Sequence, residues 1–145
     1  QDDVDRVITH PLSMIGSDGL PHDERPHPRL WGAFPRVLAS YWRERGLLPL
    51  EQAIHKMSGM SATRFRIPER GFLRAGYMAD VVVFDPKTVR DAATFEQPRQ
   101  FSEGIEQVWV NGVLSFTTGQ RAGGRRAGRF VTRAQETREL RVPAG

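Results

Sequence analysis

Cysteine is absent from the 145 residues. That excludes disulfides, thiolate metal sites and a cysteine nucleophile within the chain, and it suits a reducing compartment. No run of about 18 apolar residues is available to span a membrane, and no charged-then-apolar leader precedes a cleavage site. Internal repeats are also lacking. The expectation is a soluble, cytoplasmic protein with no membrane partner. An initiator methionine is missing too: the chain opens "QDDVDRVITHP", entering at what reads as the middle of a helix. It is therefore read as a C-terminal piece of a longer protein.

What is present is enough for one ordinary core. Hydrophobic residues make up 39% and charged residues 26%, with three Trp and eight Phe to supply buried area. The net charge of +4 is unevenly placed. Residues 121–145 hold seven Arg and two Glu, so residues 1–120 carry −1 and only the tail is basic. The stretch "RAGGRRAGRF" could be an RGG-like RNA-binding segment with Phe130 to stack. No basic or aromatic face in the body supports that, so it is read as a solvated terminus with no nucleic-acid partner.

Apolar spacing organises the rest. Val4, Val7 and Ile8 share one helix face, and Pro11 ends that helix. "LSMIGSDG" reads as a short buried strand whose polar end meets a glycine turn, which sets Asp18 at its C-terminal end. Residues 20–30 carry three prolines and two histidines and form a loop of functional length. A helix follows, from Leu30 or Pro35 to Arg45, with Gly46 as its cap. Another begins at Pro49 and ends at Gly59, and "MSATRF" suggests one more helical turn. Beyond residue 70 the pattern becomes that of strands and turns: Val81 to Phe84 ended by Pro86, and "VWV" and "VLS" around Asn111-Gly112, a strong hairpin signal.

A strand that delivers a carboxylate to a glycine turn, followed by a long loop and a helix, is the βα unit of a (β/α) barrel, whose catalytic groups sit at strand C-termini. Ser17-Asp18-Gly19 can equally be an Asx turn or a helix N-cap device. His22 and His27 share the following loop and are either metal ligands or residues that order it or face solvent. His55 reads as structural, and Asp80 as architecture.

The run "MIGSDGLPHDERPHPRLWGAFPRVL" resembles a segment of the N-acyl-D-amino-acid deacylases, in the metal-dependent amidohydrolase superfamily. "LLPLEQAIHKMSGMSATRF" resembles the same family, and "RGFLRAGYMADVVVFDP" with "GIEQVWVNGVL" resembles the closing β segment of amidohydrolases. The resemblance covers most of residues 4–130 and departs at Ala127, before Gly128, where the family tends to have Pro. It implies an α/β fold: the C-terminal part of a TIM-like (β/α) barrel, with its last strand and helices, over residues 1–68, strands of a small β-sandwich over 69–131, and a flexible tail over 132–145.

The resemblance further implies a zinc enzyme that hydrolyses the amide of N-acyl-D-amino acids. Most metal ligands would come from upstream barrel strands outside this chain, and the remainder of that barrel is the expected partner. Asp18 would touch the metal and act as general base, since a metal-bound water has its pKa pulled from 15.7 to about 7 and an ionised carboxylate can take its proton. Arg29, eleven residues on, would grip the substrate's α-carboxylate with a permanently charged fork. The alternative is a non-catalytic amidohydrolase-like structural or binding protein, which an upstream sequence lacking an H-x-H-type metal motif would reveal.

Overall fold

A computed structural model describes residues 1–22, 24–119 and 126–132. The Arg-rich segment at 120–125 and the tail beyond 132 lie outside them. Helix α1 (Asp2–Thr9) carries Asp2, Asp3 and Asp5 in its first turn, where carboxylates complement the helix dipole, and Asp5 is bonded to Arg45. Helix α2 (Arg29–Arg36) runs directly into a π-helical stretch, Val37–Glu44. Helices α3 (Leu50–Met57) and α4 (Gly59–Arg64) follow. Strands β1 (Val81–Phe84), β2 (Ile105–Val110) and β3 (Val113–Thr117) form one antiparallel sheet in the order β1-β2-β3. None of the helices among the described residues is long and apolar enough to cross a membrane.

The switch from α to π register has a local cause. Pro35 lies inside α2 and has no N–H for the carbonyl of Trp31, four residues earlier. Ser102 supplies the missing donor, its Oγ lying 3.1 Å from Trp31 O. The wider register persists until the Arg45 N–H meets Ser40 O at 3.0 Å. Gly46, at φ +59°, then ends the helix in the left-handed conformation, with Gly46 N–H on Trp42 O and Leu47 N–H on Tyr41 O, each bond one residue wider than in a Schellman motif. The expected cap at Gly46 is thus present.

Ile8, Val37, Leu48 and Ala53 form the core cluster, with Ile15, Tyr41 and Met57 against it. Of the expected α1 face only Ile8 is buried; Val4 and Val7 are 50% and 64% exposed and line an apolar groove with Met14, Ile15 and Gly16. The strand expected across residues 12–17 is not formed. A strand needs a ladder, and here the Ile15 N–H bonds instead to the Lys56 carbonyl at 3.1 Å, at the end of a helix. Gly59 does not end α3; Ser58 does, and Gly59 opens α4.

The Asn111-Gly112 hairpin forms as read, both residues being left-handed (φ 49° and 76°), which matches the twist of the flanking strands. Asp80 is architectural: its Oδ1 accepts the Asn111 N–H at 2.8 Å while Arg70 bonds both Asp80 and Asn111. Residues 70–80 make turns rather than a strand. Arg43 crosses from the π-helical stretch to donate to Val89 O at 2.7 Å and Pro86 O at 3.1 Å. Val89 is fully buried beneath Gly104, where φ is +73° and a Cβ would stand 2.4 Å from Val89 N. Only glycine fits there.

The turn after β1 rests on Asp85, which accepts the Lys87 N–H at 2.8 Å and the Thr88 hydroxyl at 2.9 Å. These bonds, the backbone one first, hold its carboxyl below the ordinary 3.8. The folded form therefore binds that proton less tightly than the unfolded form. The contribution is complete above pH 3.8 and is lost as pH falls through the depressed folded value. Hydrogen-exchange protection of the Val89 amide, which bonds to Asp85 O, should decline across that window. Asp85→Asn should flatten the decline, and an unchanged pH profile in that variant would refute the assignment.

Candidate active site

Asp18 and Arg29 are brought together. Arg29 Nη2 lies 2.8 Å from Asp18 Oδ2, with the side chains 41% and 77% exposed respectively. An ion pair this open is worth at most about 1 kcal/mol, so fold stability does not explain it. Asp18 also sits at φ +46°, a left-handed conformation that costs a non-glycine residue about 1 kcal/mol or more. The turn beside it is made by its neighbour: Ser17 Oγ accepts the Gly19 N–H at 3.4 Å. Asp18 thus leaves its carboxylate to Arg29, in place of the Asx turn that its sequence context also allows.

The end of the loop between the two residues is ordered by His27. His27 Nδ1 accepts the Arg29 N–H at 3.0 Å and so satisfies one of the free donors at the start of α2, while its ring meets Phe95 edge-on with centroids 5.0 Å apart. His27 therefore orders the loop. His22 is exposed, and His55, on α3, packs its ring against Phe72. Gly19 is required by close approach: a Cβ there would lie 2.9 Å from Leu30 Cα and 2.6 Å from Leu30 Cδ1. That contact seats the residue after Asp18 against the helix that begins with Arg29.

The sequence reading passed over Lys56. It is 1% exposed, on the buried side of α3 with Ala53 three residues before it. Its Nζ donates to His10 O, to Ser13 O at 3.0 Å and to Ser13 Oγ at 3.0 Å. Burial holds its ammonium below the ordinary lysine value. The available signal was a lysine at i+3 from a core alanine on an amphipathic helix.

Among the described residues no three His, Cys, Asp or Glu side chains converge as a metal cluster. A tetrahedral zinc site takes three or four protein ligands; the open carboxylate of Asp18 is a fitting oxygen donor, and no complete site is found among the described residues.

Comparison with known proteins defines the class. Residues 2–116 match the amidohydrolase family, and the chain belongs to that family. Within it, the chain is 58% identical over 125 residues to the D-aminoacylase of Alcaligenes xylosoxydans xylosoxydans, covering 83% of this chain and 26% of that protein. It is 49% identical over 133 residues to the N-acyl-D-glutamate deacylase of the same organism, covering 92% and 27%. A crystal structure of a D-aminoacylase superposes with a TM-score of 0.83 at 54% identity, over 91% of this chain and 28% of that one. An N-acyl-D-glutamate deacylase from Bordetella bronchiseptica, solved with zinc and a phosphonate mimic of the tetrahedral intermediate, gives a TM-score of 0.79 at 52% identity, over 84% and 26%. The chain thus spans about a quarter of the length of the relatives it matches.

Gly19→Ala in the complete enzyme is expected to lower the free energy of unfolding by about 1 to 3 kcal/mol, because the Leu30 backbone must move to admit the methyl group. Denaturant titration measures this, and a midpoint equal to wild type would show that the contact is slack.

Proposed function

We propose that these residues are the C-terminal part of a zinc-dependent N-acyl-D-amino-acid deacylase, cytoplasmic, which hydrolyses the amide to a carboxylate and a free D-amino acid. The observation that carries this reading is the 2.8 Å approach of Arg29 to Asp18, in a chain 54% identical to a D-aminoacylase of known structure. It joins a carboxylate able to move a proton to a cation able to hold a substrate carboxylate. Residues 1–68 are assigned to the end of a (β/α) barrel and 69–131 to part of a β-sandwich. The exposed Val4 and Val7, in a groove with Met14 and Ile15, suit packing against the remainder of that barrel.

Asp18 would touch the zinc, most of whose ligands would come from upstream residues, and the metal would supply Lewis-acid polarisation and a more acidic water. Asp18 accepts the proton of the attacking water and returns it to the departing amine, the two tasks of one general acid–base group. Arg29 is a planar fork with five N–H donors, of which Nη2 is on Asp18, so other donors can turn to the α-carboxylate of the substrate. The fork beside the base sets the distance between the substrate's carboxylate and its scissile amide.

In the complete enzyme, Asp18→Asn should lower kcat by about 10² to 10⁴ with a much smaller change in KM, because the amide keeps the shape and loses the proton acceptor. Near wild-type kcat would reduce Asp18 to a turn residue. Arg29→Lys should raise KM for N-acyl-D-amino acids but not for their amide or ester derivatives. The lysine keeps the charge but loses part of a two-point pair worth about 1.5 to 3 kcal/mol. An equal penalty on acid and amide would mean that Arg29 supports the loop and does not read the substrate.

A further inference from the structure

We propose that Lys56 is a positioning residue for Asp18, holding the segment that delivers the carboxylate in place from both ends of its own side chain and backbone. The proposal rests on the reading of Asp18 as the general base. Lys56 clamps the approach to Asp18 twice. Its ammonium fixes His10 and Ser13 through three oxygens, and its carbonyl accepts the Ile15 N–H at 3.1 Å. Residues 10–15 are thereby tied to the end of α3. Two residues, Gly16 and Ser17, separate the last clamp from Asp18.

The arrangement is costly for a merely structural tie. All three acceptors are neutral oxygens, so a positive charge is taken out of water with no carboxylate on it among the described residues. An apolar side chain of the same length would fill the space at less cost, but it would leave the His10 and Ser13 carbonyls without their donor and the segment free to slide. What the ammonium adds is a fixed set of directions. Three N–H vectors from one nitrogen define where residues 10 and 13 must stand, and the backbone bond at residue 15 sets the heading of the chain as it leaves. On the other side, Gly19 is seated against Leu30. Asp18 is held between those two fixed points. Arg29 is reached through α2 and His27, without passing through Lys56.

The prediction is therefore specific to the base and not to substrate binding. In the complete enzyme, Lys56→Met should lower kcat by about ten- to a hundredfold, the scale of an ångström-sized misplacement, and leave KM within about threefold. The decisive measurement is the same substitution in the Asp18→Asn background. If Lys56 acts through Asp18, it should cost less than about threefold there, because the group it positions is already disabled. An equal factor in both backgrounds would overturn the proposal while leaving Asp18 as the base. An Asp18→Asn enzyme with full kcat would overturn both. Should Lys56→Met fail to fold, Ser13→Ala, which keeps the lysine and removes one acceptor, goes through the same cycle. A kcat loss of about two- to fivefold that vanishes beside Asp18→Asn supports the proposal, and no loss, or the same loss in both backgrounds, overturns it.

Discussion

A single buried ammonium organises the helical half of this chain. Lys56 reaches out of α3 to the turn that follows α1, where His10 O and the oxygens of Ser13 receive its three donors. Lysine suits this position better than arginine would, since a compact tetrahedral cation matches three converging oxygens and a planar fork does not. The neutral partners offset only part of the lost hydration, which is why burial still holds the ammonium below its ordinary pKa. Around this point the core residues Ile8 of α1, Ala53 of α3 and Val37 of the π-helical stretch close over one another.

A second dependence runs from helix to sheet. Pro35 breaks the α register, Ser102 satisfies the carbonyl left behind, and the π-helical stretch that follows carries Arg43 to the buried turn at Val89. Three residues with no chemistry of their own therefore couple α2, and with it Arg29, to the connections around the β-sheet. Arg36 adds a contact to Asp91 at 3.1 Å, and Gly32 leaves room for the Asp91 side chain, with only 2.8 Å between its virtual Cβ and Asp91 Cβ. The platform beneath Arg29 is consequently stiff even though its guanidinium is open to solvent.

Local signals were legible in the sequence where the chain solves its own geometry. Asn111-Gly112 specifies a hairpin because both residues tolerate positive φ, and Gly46 ends a helix for the same reason. Resemblance singled out Asp18 and Arg29 separately, one for the metal and one for the substrate carboxylate; their contact with each other is a feature of the structure that it did not imply. What sequence did not disclose was non-local. Residues 12–17 have the apolar pattern of a buried strand, but a strand exists only beside another strand, and the neighbour that meets Ile15 is a helix end. The donor that satisfies the carbonyl freed by Pro35 is a serine 67 residues beyond it. Lys56 looks like any helix surface lysine until α1 is folded over it.

Asp18 and Arg29 are exposed in a chain that spans about a quarter of the length of its relatives. Both side chains are held at their bases: Gly19 is packed on Leu30, the α2 start is satisfied by His27, and the approach segment is tied to Lys56. Their tips are solvent-exposed and paired with each other, Arg29 Nη2 on Asp18 Oδ2 at 2.8 Å. A charged pair facing high-dielectric solvent has little catalytic power, because water screens the field that would act on a substrate. The same pair under a low-dielectric cover exerts a far stronger one. The apolar groove beside α1, lined by Val4, Val7, Met14 and Ile15, offers a surface where further protein can supply that cover. On the proposed reading, fixed bases keep the two groups aimed wherever the rest of the protein meets them.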